Sequence, residues 1–422
     1  MPSFKTVTLG CKVNQYETEY LREGFLRLGY REAEDEEAAD VCVVNTCTVT
    51  SEGDLKSRRA IRQLARQNPG AEIIVMGCYA TRAREEVSLL PGVVDVVTDK
   101  RQLPDLLARR GLVDLPKGIS RFGQRHRAYV KVQDGCRMQC SYCIIPTVRP
   151  VLWSRPPHEV LDEIRRLIGH AYGEIVLTGI HLGHYGMDQV ARNGDKRRTD
   201  LARLVERIMA LEGNFRIRLS SLEAVEVTPE LIDLAASRPE RICPHFHVSM
   251  QSGSDAVLSR MRRRWPSGRF IERCLAIREA LDAVALTTDV IVGFPGETDA
   301  DFEATCHAVE TIRFSKLHIF RFSPREGTPA AKMPEQVESR VKHQRAVHLA
   351  EIGDRLRRQY MESLVGKELQ VLVETRPAEM PGTVCGTADR YVPVQLPGPE
   401  RLCGRLVQVA PSRLCGERLV AG

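Results

Sequence analysis

Short apolar runs alternate with helix-length amphipathic stretches over the first hundred residues, the pattern of a parallel sheet flanked by helices. Three strand-to-helix units stand out. Lys5–Leu9 leads through Gly10-Cys11 to a helix over Gln15–Leu28 that carries Tyr20, Leu21, Phe25 and Leu28 on its apolar face. Val41–Asn45 leads through Thr46-Cys47 to a basic helix over Asp54–Ala65, and Ile73–Met76 leads through Gly77-Cys78 to a shorter helix near Ala83–Leu89. From Pro104 to Arg127 the pattern loosens into a connector with Gly, Pro and Arg.

A second series follows, with strands expected near Tyr129–Val132, Glu174–Leu177, Arg216–Leu219, His245–Val248, Thr287–Val292 and Lys316–Phe320. Six such units fall short of an eightfold barrel and predict a partial (β/α)6 barrel, closed by a charged helix over Glu335–Tyr360. Beyond Gly366 the alternation in Leu369–Glu374, Tyr391–Leu396 and Leu402–Val409, broken by Gly382, Gly386, Gly398 and Gly404, predicts a small all-β barrel. The expected fold is therefore α/β, with a doubly wound parallel sheet (residues 1–115), a partial barrel (122–362) and a carboxy-terminal β-barrel (365–422).

Composition narrows the setting. At 422 residues and 43% hydrophobic, the chain can bury substantial cores. It contains neither the roughly 20 uninterrupted apolar residues of a bilayer span nor the apolar run of a signal peptide, so a cytoplasmic protein with no membrane partner is expected. Thirteen cysteines in a reducing compartment point to metal or cluster ligation and not to disulfides. Cys42 lies inside its strand and is read as core. The net charge of +6 arises in residues 116–364, which hold 38 Lys and Arg against 31 Asp and Glu. That balance permits a polyanionic partner without requiring one.

Cys11, Cys47 and Cys78 each follow a strand and precede a helix. In a doubly wound sheet such crossings share one edge, so three successive occurrences predict that the thiols converge on a shared ligand. Cys136-Arg-Met-Gln-Cys140-Ser-Tyr-Cys143 follows the first barrel strand. Three thiolates at these offsets can hold three irons of a cubane and leave the fourth open to a substrate's amino and carboxylate groups. A zinc site completed by Cys243 or His158 is the competing reading.

This loop, with aromatic Tyr142 before its last cysteine, resembles the signature of radical-SAM enzymes. More narrowly, Thr8–Glu17, Val44–Thr50 and Met76–Ala80 resemble the cysteine segments of the methylthiotransferases. Leu177–Gly186, Gln251–Asp255, Val292–Thr298 and Phe322–Ala330 extend the likeness over nearly the whole chain. The resemblance implies two 4Fe-4S clusters, one on Cys136, Cys140 and Cys143 that chelates S-adenosylmethionine, the other on Cys11, Cys47 and Cys78. It also implies a radical-SAM barrel, a carboxy-terminal TRAM domain that binds RNA, a 5′-deoxyadenosyl radical as hydrogen acceptor, and a flavodoxin or ferredoxin as electron donor. Thr178, Gly179, Gln251, Ser252 and Gly293, at strand ends of the barrel's ligand face, are the candidate S-adenosylmethionine contacts beside Tyr142. Taken singly, each is equally a turn residue.

The tRNA candidates are Lys56, Arg58, Arg59, Arg62 and Arg66 on the helix after Cys47, and Arg260, Arg262, Arg263 and Arg264 with Trp265. Arginine suits phosphate and an aromatic suits an unpaired base, although such runs are often solvated faces. His181, His184, His245 and His247 lie near the expected barrel mouth, and no catalytic role beyond cluster ligation is assigned to any side chain. After the cluster loop, where relatives are arginine-rich, only Arg149 and Arg155 remain, so substrate contacts there are expected to differ. The Gly-Cys-Lys-Val-Asn form at Cys11 most resembles the branch acting on N6-threonylcarbamoyladenosine beside the tRNA anticodon. Alternatives are the branches acting on isopentenyladenosine or on a ribosomal-protein aspartate and, from another class, a zinc-binding RNA chaperone.

Overall fold

The computed structural model describes residues 1–123, 125–188, 200–378 and 380–422. Its amino-terminal unit is a wholly parallel sheet of β1 (Ser3–Thr8), β2 (Arg31–Glu32), β3 (Val41–Thr46), β4 (Glu72–Gly77) and β5 (Val93–Val97), in the order β2-β1-β3-β4-β5. Thr8 pairs with Asn45, and Thr46 with Gly77, so the carboxyl ends of β1, β3 and β4 are level. Helices α1 (Lys12–Arg27) and α2 (Ser51–Gln67) start about one turn before the apolar periodicity predicts. A helix opens at its cap and not at its first buried residue, and here Thr50 caps α2 by accepting from the Gly53 amide.

Two edge strands, β2 and β5, lie outside the apolar pattern. Both are two-sided only in part, and an edge needs no continuous apolar run. A helix over Leu103–Arg109 also occupies the start of the expected connector. Its buried Leu107 lies where a side chain on Gly24 of α1 would be, a Cβ there falling 2.3 Å from Leu107 Cδ1.

The central unit runs through β6 (Arg127–Asp134), β7 (Trp153–Ser154), β8 (Glu174–Gly179), β9 (Arg216–Leu219), β10 (His245–His247), β11 (Ala285–Val292) and β12 (Lys316–Arg321). β6, β8 and β9 pair in parallel, as do β10, β11 and β12, and parallel bridges Ile217–Ile242 and Leu222–Val248 join the groups. β7 is a short antiparallel addition on β6. The helix Ser339–Ser363 packs along β12, with Leu349, Ile352 and Leu356 buried.

The carboxy-terminal unit is one six-stranded sheet, mostly antiparallel, in the order β16-β13-β14-β15-β18-β17: β13 (Leu369–Thr375), β14 (Thr383–Ala388), β15 (Pro393–Pro397), β16 (Leu406–Val409), β17 (Pro411–Cys415) and β18 (Arg418–Ala421). It forms a half-barrel. Gly386 lies inside β14 instead of breaking it, because a Cβ there would meet Leu372 O at 2.1 Å. This unit docks on the central unit through buried arginines: Arg216 donates to Thr387 O at 3.0 Å and Arg218 to Asp389 O at 2.8 Å, while both pair with fully buried Glu174.

Candidate active site

The level ends of β1, β3 and β4 set Cys11, Cys47 and Cys78 along one edge. Gly10, at φ +100°, brings two of the turns together: a Cβ on it would lie 3.2 Å from Cys47 Sγ. Gly77, also at φ +100°, has no room for a Cβ, which would fall 2.3 Å from Thr46 O. Asn14 ties the turns by donating to Leu9 O at 2.8 Å and Thr46 O at 3.1 Å. All thirteen cysteines are free. Burial pushes the Cys11 and Cys47 thiols up, and each is raised further by charge on nearby Cys78.

Behind Cys78 stands a fully buried ionic cluster. Arg149 Nε donates to Cys78 Sγ at 3.3 Å, and its other nitrogens reach Glu17 at 2.7 Å, Asp134 at 2.9 Å and Asn14 Oδ1 at 3.0 Å. Lys131 binds Glu17 at 2.7 Å. Arg155 pairs with buried Glu163. Arg149 and Arg155, the two arginines that follow the cysteine loop, are both buried, and they brace the two cysteine-bearing units against each other.

The Cys136–Cys143 loop leaves β6 at Gly135, which is at φ +78° and whose Cβ would fall 2.1 Å from Val151 O. Gln133 braces the loop by donating to Asp134 O and Gly135 O at 2.7 Å while accepting from the His181 amide at 2.8 Å. Arg263 reaches Cys140 Sγ at 3.9 Å and is held by Glu223 and by Ser249 O. Burial pushes Cys143 up to about 12 and raises Cys140 in spite of Arg263. Thiols this reluctant to ionise become thiolates when a metal centre supplies the positive charge. Three cysteines on one loop, of which Cys140 and Cys143 resist ionising unaided, are a donor set that fits an iron–sulfur cluster.

Cys136 Sγ also lies 3.4 Å from His181 Nδ1, whose Nε2 is 2.7 Å from Glu226. Burial opposes the charged ring, but Cys136 and Glu226 outweigh it and push His181 up to about 10. His184 stacks on His181 with centroids 3.6 Å apart. Cys136, His181 and His184 are the one group among the described residues with donor atoms close enough for a single ion. It offers three ligands, and zinc sites favour four. Cys243 is buried beside Arg218 and His158 is exposed on another helix, so neither completes it.

The candidate S-adenosylmethionine contacts are arranged unevenly. Tyr142 packs edge-on to Phe294 at 6.4 Å, Thr178 is buried, and Gly179 leaves room for Gln133, whose Oε1 a Cβ would meet at 2.8 Å. Gln251 adopts φ +68° with its amide on Asp289 O. The Ser252 hydroxyl is engaged by Thr305 at 3.2 Å, and the Gly293 amide by Glu297 at 2.6 Å; both groups already serve the fold.

The basic candidates also separate. Lys56 pairs with Glu52 and Arg58 with Glu86, whereas Arg59, Arg62 and Arg66 are exposed on α2. Arg262 and Arg264 are exposed, Arg260 binds Gly296 O at 2.8 Å, and Trp265 stacks under Arg269. Arg263 is corrected from a solvent-facing RNA contact to a buried neighbour of the cysteine loop. Its role was not legible from a run of basic residues, nor were those of Glu223 and Gln133, which lack any local motif; Asn14 lies in the Gly-Cys-Lys-Val-Asn segment, but its bonds across two turns show only in the structure.

Residues 3–99 match the family described as Uncharacterized protein family UPF0004, and residues 130–309 match the Radical SAM superfamily. A threonylcarbamoyladenosine tRNA methylthiotransferase of Bacillus subtilis (strain 168) is 40% identical, over 95% of this chain and 92% of its own. One from Thermotoga maritima is 38% identical over 93% and 91%. A tRNA-2-methylthio-N(6)-dimethylallyladenosine synthase of Moorella thermoacetica is 33% identical over 97% and 96%. Among solved structures, the radical S-adenosylmethionine methyltransferase TsrM of Kitasatospora setae shares the fold at TM-score 0.55 and 14% identity, over 78% of this chain and 75% of that one. With converging cysteine turns, a thiol loop at the end of the first barrel strand and this likeness along its whole length, the chain belongs to the radical-SAM tRNA methylthiotransferase family.

Proposed function

We propose that this protein replaces the C2 hydrogen of N6-threonylcarbamoyladenosine, at position 37 of tRNA, with a methylthio group. The reading is supported by 40% identity to a methylthiotransferase named for that nucleoside, in a chain whose free cysteines include Cys11, Cys47 and Cys78 at the ends of β1, β3 and β4 and Cys136, Cys140 and Cys143 in the loop after β6. Cys136, Cys140 and Cys143 would hold one 4Fe-4S cluster and Cys11, Cys47 and Cys78 a second. When bound, the cluster and S-adenosylmethionine supply one-electron chemistry able to activate an unreactive C–H bond. The protein's part is to orient and exclude. Gln133 and Arg263 fix the loop of the first triplet, Tyr142 covers it, and Arg149 joins the second triplet to β6.

On this reading the six parallel strands act as a partial (β/α)6 barrel and the carboxy-terminal half-barrel as a TRAM-like RNA-binding unit. The exposed Arg59, Arg62, Arg66, Arg262 and Arg264 would meet the anticodon stem-loop. The setting is cytoplasmic with a flavodoxin or ferredoxin as donor; no helix among the described residues is long and apolar enough to cross a membrane. The reading is tested on anaerobically reconstituted protein by iron and sulfide analysis with assays of S-adenosylmethionine cleavage and of sulfur insertion. Cys140→Ala is expected to abolish cleavage, and Cys47→Ala to retain cleavage while losing insertion. Stoichiometric zinc in place of iron, or loss of both activities in Cys47→Ala, would overturn it.

A further inference from the structure

A cavity of about 310 Å³ lies against the central unit, walled by β6 and β8 to β12 and bordered by Tyr391 of the carboxy-terminal sheet; Arg127 on its wall is taken up by Glu374 at 2.8 Å. The one lining residue from the amino-terminal unit is Lys12, the first residue of α1 and the neighbour of Cys11. Through Lys12 the cavity wall is continuous with the turn that carries Cys11.

Its charged groups differ in what they have left to offer. Arg218 spends its nitrogens on Glu174 and on the carbonyls of Ala388 and Asp389. Asp289 is paired with His247 at 3.3 Å. His245 is buried and His318 half-buried; burial, with Lys12 among the neighbouring cations, presses both toward the neutral form. Lys12 is half-buried and has no hydrogen-bond or ion-pair partner among the described residues, and Lys316 across the mouth is likewise unpaired but exposed. Phe320 is 52% exposed at the same mouth, an aromatic face available for stacking on a base. A half-buried ammonium without a counter-charge is an electrostatic vacancy for an anion.

The two tRNA substrates named by this chain's relatives differ in that respect. Threonylcarbamoyl carries a carboxylate, whereas dimethylallyl is apolar and uncharged. We infer that Lys12 is a specificity-determining residue, whose ammonium in this cavity binds the carboxylate of the threonylcarbamoyl substituent while Phe320 stacks on the adenine. This rests on the proposed methylthiotransferase reading. Lys12 selects among substrates by charge, and its placement next to Cys11 directs the bound base toward the second triplet of thiols.

The test compares, within each variant, kcat/KM for an anticodon stem-loop bearing threonylcarbamoyladenosine with kcat/KM for the same stem-loop carrying the substituent as its neutral carboxamide. Damage to the neighbouring cluster lowers both values and cancels in the ratio. The wild type should prefer the carboxylate by about ten- to a hundredfold, the worth of one charge-assisted contact. Lys12→Met should bring the ratio near one, Lys12→Arg should restore most of it, and Phe320→Ala should lower both values with the ratio kept. A preference unchanged in Lys12→Met, or abolished equally by Phe320→Ala, overturns the assignment. A wild type inactive on both stem-loops instead removes the methylthiotransferase reading beneath it.

Discussion

Arg149 shows how much of this site depends on single buried charges. Its guanidinium satisfies Glu17, Asp134 and Asn14 and touches Cys78. Removing it leaves two buried carboxylates sharing Lys131, and breaking a buried ion pair in this way costs about 3–5 kcal/mol. Arg149→Leu should lower the denaturation midpoint accordingly and reduce iron bound at the second triplet, both read on the reconstituted protein; an unchanged midpoint would show that the cluster is dispensable. Burial alone would raise the Glu17 and Asp134 carboxyls, but Arg149 and Lys131 prevail and hold both below the usual range. Both regain ordinary values on unfolding. Their contribution is therefore complete at neutral pH and is lost as pH falls below about 4 toward the folded values. Glu17→Gln should flatten that acid limb of the stability curve, and an identical limb in the variant would assign acid sensitivity elsewhere.

At the level of elements, the site is made by turns that only glycine can take. Gly77 bends β4 into the helix beginning at Cys78 with φ +100°, and a Cβ would strike the Thr46 backbone. Gly77→Ala should cost about 1–3 kcal/mol of strain and displace Cys78. The measured outcome would be iron falling toward one cluster per chain while S-adenosylmethionine cleavage persists; full iron loading would mean the turn tolerates a side chain. The three strand-turn-helix units were legible because each couples an apolar run to Gly-Cys or Thr-Cys and then to an amphipathic helix. The edge strands β2 and β5, the Leu103–Arg109 helix and strands β14, β17 and β18 were not. The strands are short, half-exposed or interrupted by glycine, so their alternation is weak, and the helix, with buried Leu103, Leu106 and Leu107, is too short for its period to stand out beside Pro104. Gly386 was read as a break, whereas its lack of a side chain is what lets β14 approach β13.

For the whole molecule, the decisive arrangement is that two sheets present cysteine-bearing ends to each other. The candidate thiols stand out in the sequence by spacing or by repetition, and the turns and loop that carry them are where the strand pattern predicts. What holds the two units in register is long-range: Arg149 to Glu17, Arg325 to Asp54 at 2.7 Å, and Arg216 and Arg218 to the carboxy-terminal carbonyls. Local pattern does not signal partners that the fold brings in from other elements, so the buried surroundings of Arg149 and Arg263 show only in the structure. The same distance effect applies to Lys12: the sequence shows it within the Gly-Cys-Lys-Val-Asn segment, and only the structure shows it lining a cavity of the central unit.

The account stands most directly on one reaction. Anaerobically reconstituted protein, given S-adenosylmethionine, reductant and a stem-loop bearing threonylcarbamoyladenosine, should yield the 2-methylthio nucleoside in the mass spectrum of the digested RNA. An unmodified nucleoside, from protein that holds its iron and forms 5′-deoxyadenosine under the same conditions, would contradict it.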